Sequence, residues 1–189
     1  MASVRGGLRL PCLKHDMDAS WEKRVACPTG WGVGALRMAM HAGKVDQLAQ
    51  DNLRRMHTLD DAWNAQEWDA VAEFHTDDVA VFWPGGNPPT KGGHNHIEEA
   101  KAYAKTFPDN RVENNPYKVE FAQGEWTCTV ARHTGTFKGP MKTPQGVIQP
   151  TGKKFDVEFC TVAHWKDGKI VEEKLFYDLV GVMKQLGIK

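Results

Sequence analysis

Residues 151–186 read TGKKFDVEFCTVAHWKDGKIVEEKLFYDLVGVMKQL, two long alternating segments joined by Asp167-Gly168. In the first, Phe155, Val157, Phe159, Thr161, Ala163 and Trp165 share one face, and Asp156, Glu158, Cys160, Val162 and His164 share the other. Successive side chains of a strand point to opposite sides, so the first set faces a core. The return segment, residues 169–177, puts Val171, Leu175 and Tyr177 on one face with Glu173. Its other face carries Ile170, Glu172, Lys174 and Phe176.

A slip of one residue flips every side chain, so the turn decides what is buried. A two-residue Asp167-Gly168 turn pairs Trp165 with Ile170. A three-residue Lys166-Asp167-Gly168 loop, with Gly168 in a left-handed bulge, pairs Trp165 with Lys169 and brings the two apolar sets together. The three-residue loop is therefore expected. It sets Phe159 opposite Leu175, Ala163 opposite Val171 and Thr161 opposite Glu173. Glu173 is then the one carboxylate on an apolar wall, and burial is expected to raise its pKa toward the range useful to a general acid or base.

The rest of the chain supplies helices to cover that wall. Leu48, Leu53, Met56, Leu59 and Trp63 form one apolar stripe of a helix over residues 46–65. A second helix is expected over 68–75, and a short strand over 79–83, halted by Pro84. A third helix over 96–106 carries Ile97, Ala100, Tyr103 and Ala104. Strands at 117–122 and 125–137 follow, then a loop over 138–152, the two strands above, and a short helix over 179–186 capped by Asp178. Helices gathered on one face of a curved antiparallel sheet make an α+β cone with an apolar pocket.

Lysine plus arginine and aspartate plus glutamate number 24 each. A neutral chain with no basic run offers no footprint for nucleic acid and no polybasic membrane anchor. Cys12, Cys27, Cys128 and Cys160 form no CxxC pair, which suits structural thiols in a reducing, cytoplasmic compartment. His94 and His96 stand two apart where a helix opens, a spacing that splits them across its faces, so no metal site is expected from them. Residues 1–42 are rich in Gly and basic residues without a period, and are expected to be a poorly structured extension to a domain spanning 43–189. No continuous apolar core in them fits a signal peptide, and Asp16, Asp18 and Glu22 count against a mitochondrial presequence.

Several short motifs carry a family resemblance. They are Ala62-Trp63-Asn64-Ala65 with Trp68-Asp69, His75-Thr76-Asp77-Asp78, Phe107-Pro108-Asp109, Thr134-Gly135-Thr136 before Gly139, and Pro150-Thr151-Gly152-Lys153. The last are residues 167–173, DGKIVEE, and Asp178-Leu179-Val180-Gly181 before Gln185-Leu186-Gly187. Over roughly residues 45–187 the chain resembles the SnoaL-like polyketide cyclases, or ester cyclases, of the NTF2-like fold. The resemblance implies an α+β cone, a homodimer, a deep hydrophobic cavity, and no metal or organic cofactor. Its best-known members close a ring by an intramolecular aldol reaction, with an aspartate taking the α-proton and a histidine on the neighbouring strand holding the enolate. Those two positions fall on Leu175 and Thr161 here, and a further histidine position falls on Phe137.

Two readings follow. In the first, the protein is a cofactor-independent acid–base catalyst, a cyclase, isomerase, dehydratase or hydrolase, acting on a small hydrophobic carbonyl compound. Glu173 is then the base and Thr161 its neighbour, with His133 or Tyr177 as the oxyanion donor. Leu175, Phe159, Trp83, Trp165 and Phe137 join Tyr177 as the substrate wall. His133 and Arg132 are adjacent on a strand, so one of them faces the cavity, and the sequence alone leaves open which. In the second reading the chain is a non-catalytic ligand-binding or dimerisation module, favoured by the absent aspartate and histidine.

Overall fold

The computed structural model describes residues 33–143 and 146–188, with side chains from residue 47 onward. The N-terminal residues expected to form an extension lie for the most part outside the described residues. Helix α1 (Val33–Ala65) reaches back beyond the expected start. Its buried residues Ala49, Asn52, Met56, Leu59 and Ala62 recur every three or four positions, so one stripe faces inward. Gln66, at φ 58°, turns the chain into α2 (Trp68–Glu73). Then come β1 (His75–Phe82), β2 (Thr90–Lys91), α3 (Gly93–Thr106) and β3 (Arg111–Glu113). These are followed by β4 (Val119–Gln123), β5 (Trp126–Thr136), β6 (Met141–Thr143) and β7 (Gly146–Ile148). The last elements are β8 (Lys154–Lys166), β9 (Lys169–Phe176) and α4 (Leu179–Leu186).

The main sheet runs β2-β1-β9-β8-β5-β3, with β4 also paired to β5. All its ladders are antiparallel except β1 with β9, which is parallel. The architecture is the expected α+β arrangement. The stretch over 138–152, expected as a loop, instead contains the β6–β7 hairpin. The expected second helix stops two residues early, which releases His75 to begin β1. No helix among the described residues is long and apolar enough to cross a membrane.

The β8–β9 turn differs from the expected one. Asp167 and Gly168 have φ of 51° and 79°, the paired positive values of a two-residue type I′ turn, and Lys166 pairs with Lys169. Trp165 therefore pairs with Ile170, and Ile170 is buried rather than outward. A bulge then intervenes: His164 pairs with Glu172, so Val171 is the extra residue. Beyond it Ala163 faces Glu173 and Thr161 faces Leu175, in place of the expected Thr161–Glu173, Ala163–Val171 and Phe159–Leu175 pairs. The shorter turn flips the alternation once and the bulge flips it back. Glu173 and Leu175 thus end on the inner face with Phe155, Thr161, Ala163 and Trp165, all buried.

Two apolar clusters flank the sheet. One packs Met56, Leu59 and Val71 from the helices on Val81, Trp165, Ile170 and Leu175 from the strands. The other joins Phe107, Phe137 and Phe155 to Val182 and Leu186 of α4. Asp178 caps α4 as expected, its Oδ1 accepting from the Gly181 N–H at 2.8 Å.

Candidate active site

Helices α1, α2 and α3 meet the inner face of β1, β5, β8 and β9 around one cavity that is partly open to solvent. Most of its lining is apolar or aromatic, with Leu59, Trp63, Val71, Val112, Phe159 and Leu175 prominent. The polar groups facing it are Asp60, His75, His96, Tyr103, His133, Thr161 and Glu173. A few convergent polar groups in a greasy cleft are the usual makeup of a small-molecule site.

Of the residues singled out from sequence, Glu173, Thr161, His133, Leu175, Phe159 and Trp83 line this cavity. Alternation along β5 buries Thr127, Thr129, Ala131 and His133, and turns Arg132 outward onto Asp156 and Glu113. His133 is thus the inward member of its pair. Trp165, Phe137 and Tyr177 are not part of the lining. Trp165 is fully buried, with its indole Nε1 donating to Thr127 Oγ1 at 2.9 Å. Phe137 is sealed into the α4 cluster, where Tyr177 also packs and stacks on Phe159. Strand alternation turned Trp165 and Tyr177 inward, but it does not say which part of a long inner face lies under the cavity; Phe137, proposed from the resemblance, lies just past the end of β5.

Glu173 and Asp60 sit in contrasting environments. Burial raises the pKa of Glu173, but the nearby His75 and His96 outweigh it and hold the carboxyl below its ordinary value. This reverses the sequence expectation, which did not place His75 or His96 beside the acid. Asp60 is pushed up to about 7, first by burial, with the charges of Glu173 and Asp61 adding and a hydrogen bond from Tyr117 opposing. The Tyr117 hydroxyl donates to Asp60 Oδ2 at 2.6 Å. Burial also lowers His133 to about 4, leaving a neutral ring at pH 7, and its Nε2 lies 3.4 Å from the Tyr103 hydroxyl. The Tyr103 phenol is raised well above its usual value by burial, so it stays protonated and can donate.

Asp60, His75, His96 and Tyr103 are the residues that sequence reading missed as site members. Asp60 is four residues after Met56 and three before Trp63, so it adjoins the apolar stripe, a signal that was available. His96 lies on the same helical face as Ala100 and Tyr103, a signal that was available. His75 carried none, since it was read as a helix end.

His75 Nε2 lies 3.4 Å and His96 Nε2 3.9 Å from Glu173 Oε2. His75 Nδ1 is 2.9 Å from the Val71 carbonyl oxygen, and His96 Nδ1 finds no partner among the described residues. The two rings approach to 4.8 Å between centroids. Each of the three residues offers one ligand atom, all within 4.8 Å of one another, the one group able to hold a metal ion among the described residues.

The family model of the SnoaL-like polyketide cyclases matches residues 53–186. No curated protein matches the chain. Among solved structures, a protein from Jannaschia sp. CCS1 assigned to the SnoaL-like polyketide cyclases is 24% identical, with a TM-score of 0.66, over 75% of this chain and 95% of that one. A Catenulispora acidiphila protein with a ketosteroid isomerase-like fold is 16% identical, TM-score 0.56, over 69% and 89%. An M. tuberculosis LEH-like epoxide hydrolase is 16% identical, TM-score 0.56, over 73% and 90%. At such identities the likeness speaks for the fold.

Proposed function

Because this chain belongs to the SnoaL-like polyketide cyclase family, we propose that it is a proton-transfer catalyst for a small hydrophobic carbonyl compound, with Asp60 as the group that moves the proton. The observation that carries the reading is the placement of Asp60 and Glu173 in one cavity, among Leu59, Val71, Val112, Phe159 and Leu175. Two carboxyls whose surroundings push their affinities for protons apart divide the labour between them. Asp60, pushed up to about 7, accepts and returns a proton near neutral pH. Glu173 stays ionised, and its charge helps to hold Asp60 high. The hydroxyls of Tyr103 and Thr161 supply neutral donors for an oxyanion, with His133 orienting Tyr103.

Leu175 and Thr161 face each other across β8 and β9, and by the resemblance they fall where the family carries its aspartate and histidine. They favour a second reading, a cavity that binds its ligand without turning it over. A homodimer remains part of the proposal. Val119, Phe121 and Phe176 project from the outer sheet face, 50–60% exposed, as a stripe suited to cover by a second copy.

Hydrogen–deuterium exchange α to the carbonyl of hydrophobic β-keto esters, followed by NMR in heavy water, tests the reading. Exchange by the wild type that falls about 100-fold or more in Asp60→Asn is expected. Equal exchange in the variant overturns the role of Asp60. Binding of the esters without exchange supports the second reading.

A further inference from the structure

We propose that His75, His96 and Glu173 bind one divalent transition-metal ion of the zinc or iron type, with its remaining coordination positions open to the cavity. This goes beyond the proton-transfer reading and departs from the cofactor-free chemistry that the family resemblance implies.

The three residues come from elements far apart in sequence: the first residue of β1, the first turn of α3, and β9 beyond its bulge. All are buried, at 3%, 3% and 6% exposure. Their spacing is long for charge-assisted hydrogen bonds. A charge-assisted N–H···O bond spans about 2.7–2.9 Å, whereas the two histidine nitrogens stand 3.4 and 3.9 Å from Glu173 Oε2. Donors held about 2.1 Å from a common ion lie about 3.0 Å apart in octahedral and about 3.4 Å apart in tetrahedral geometry. The first distance fits a tetrahedral site, while the second, and a His75–His96 separation bounded only by 4.8 Å, require the His96 ring to draw in when the ion binds.

The hydrogen bonding points the same way. A carbonyl oxygen only accepts, so His75 Nδ1 carries the proton it gives to Val71 O. In a neutral ring, Nε2 then turns its lone pair toward the Glu173 carboxylate. Two acceptors would then face each other, a conflict that a proton on Nε2 or a cation between them resolves. A backbone carbonyl holding the far nitrogen is also the usual support of a metal-bound histidine. His96 is still less satisfied, because among the described residues its buried Nδ1 has no partner and its Nε2 has only the long approach to Glu173.

Two imidazoles and one carboxylate with open positions form the ligand set of catalytic zinc sites and of non-haem iron sites. All three residues line the cavity, so the open positions would take water or the oxygen of a bound carbonyl.

The test uses the untagged full chain, stripped with a chelator and titrated with Zn²⁺ and with Co²⁺. One ion per chain is expected, with a Co²⁺ absorption spectrum distinct from that of the aqueous ion. X-ray absorption on the zinc form is expected to show two imidazoles at about 2.0–2.1 Å. His96→Ala and Glu173→Gln should each weaken Zn²⁺ binding at least about 100-fold, while His94→Ala, at an exposed position two residues away, should not. An unchanged Co²⁺ spectrum with the wild type overturns the site, as does equal Zn²⁺ affinity in wild type and His96→Ala. If a variant fails to fold, the wild-type spectrum and X-ray absorption shell decide alone.

Discussion

Glu173 is paired across the β8–β9 ladder with Ala163, a side chain that offers it no hydrogen bond. Its polar neighbours therefore come from outside the hairpin, His75 on β1 and His96 on α3. The hairpin delivers the carboxylate to the inner face, and the parallel β1–β9 pairing and the α3 crossing give it company.

Asp60 makes stability depend on pH. Its folded pKa is raised from 3.8 to about 7, so the folded chain keeps a proton that the unfolded chain releases. Stability is fully present below the unfolded value and falls as pH rises through the folded one. Thermal unfolding of the wild type, relative to Asp60→Asn, should lose ground between pH about 4 and 7 and level off above.

Tyr103→Phe removes one hydroxyl from the cavity, the one that contacts His133. We expect α-proton exchange to drop about 100-fold, with Tm little changed because the ring still packs on Phe107.

Trp165 is a core residue, so replacing it should alter stability and spare the cavity. Trp165→Phe leaves Thr127 Oγ1, which is buried, without its donor. Urea unfolding should show a loss of about 1–3 kcal/mol, with ester binding unchanged.

The bulge at Val171 sets the face of everything after it in β9. Val171→Ala, at a half-buried site, should cost less than about 1.5 kcal/mol. Deleting Val171 would turn Glu173 and Leu175 outward, and circular dichroism on heating should show no cooperative transition.

Asp178→Ala removes the cap of α4. A loss of about 1 kcal/mol is expected in the same urea assay, since α4 seals Val182 and Leu186 onto Phe137.

The fold was largely legible because alternation and helical stripes are local. Residues 155–165 showed their inner face directly, and Asp178 announced its cap. The turn escapes a reading from alternation because the chain uses two irregularities, a type I′ turn that flips the faces and a bulge that flips them back. The alternation survives both, so Glu173 was placed on the correct side with the wrong partner. The site was legible only in part. His133 was a candidate without a direction until the β5 ladder gave it one.

The sequence by itself determined which residues turn inward, since side-chain direction follows from the period of each element and a buried face tolerates no slip. Which inward groups meet was decided by tertiary structure alone. Asp60, His75, His96 and Glu173 come from four elements, and their protonation depends on burial and on one another's charges. Those quantities exist only once the helices close over the sheet.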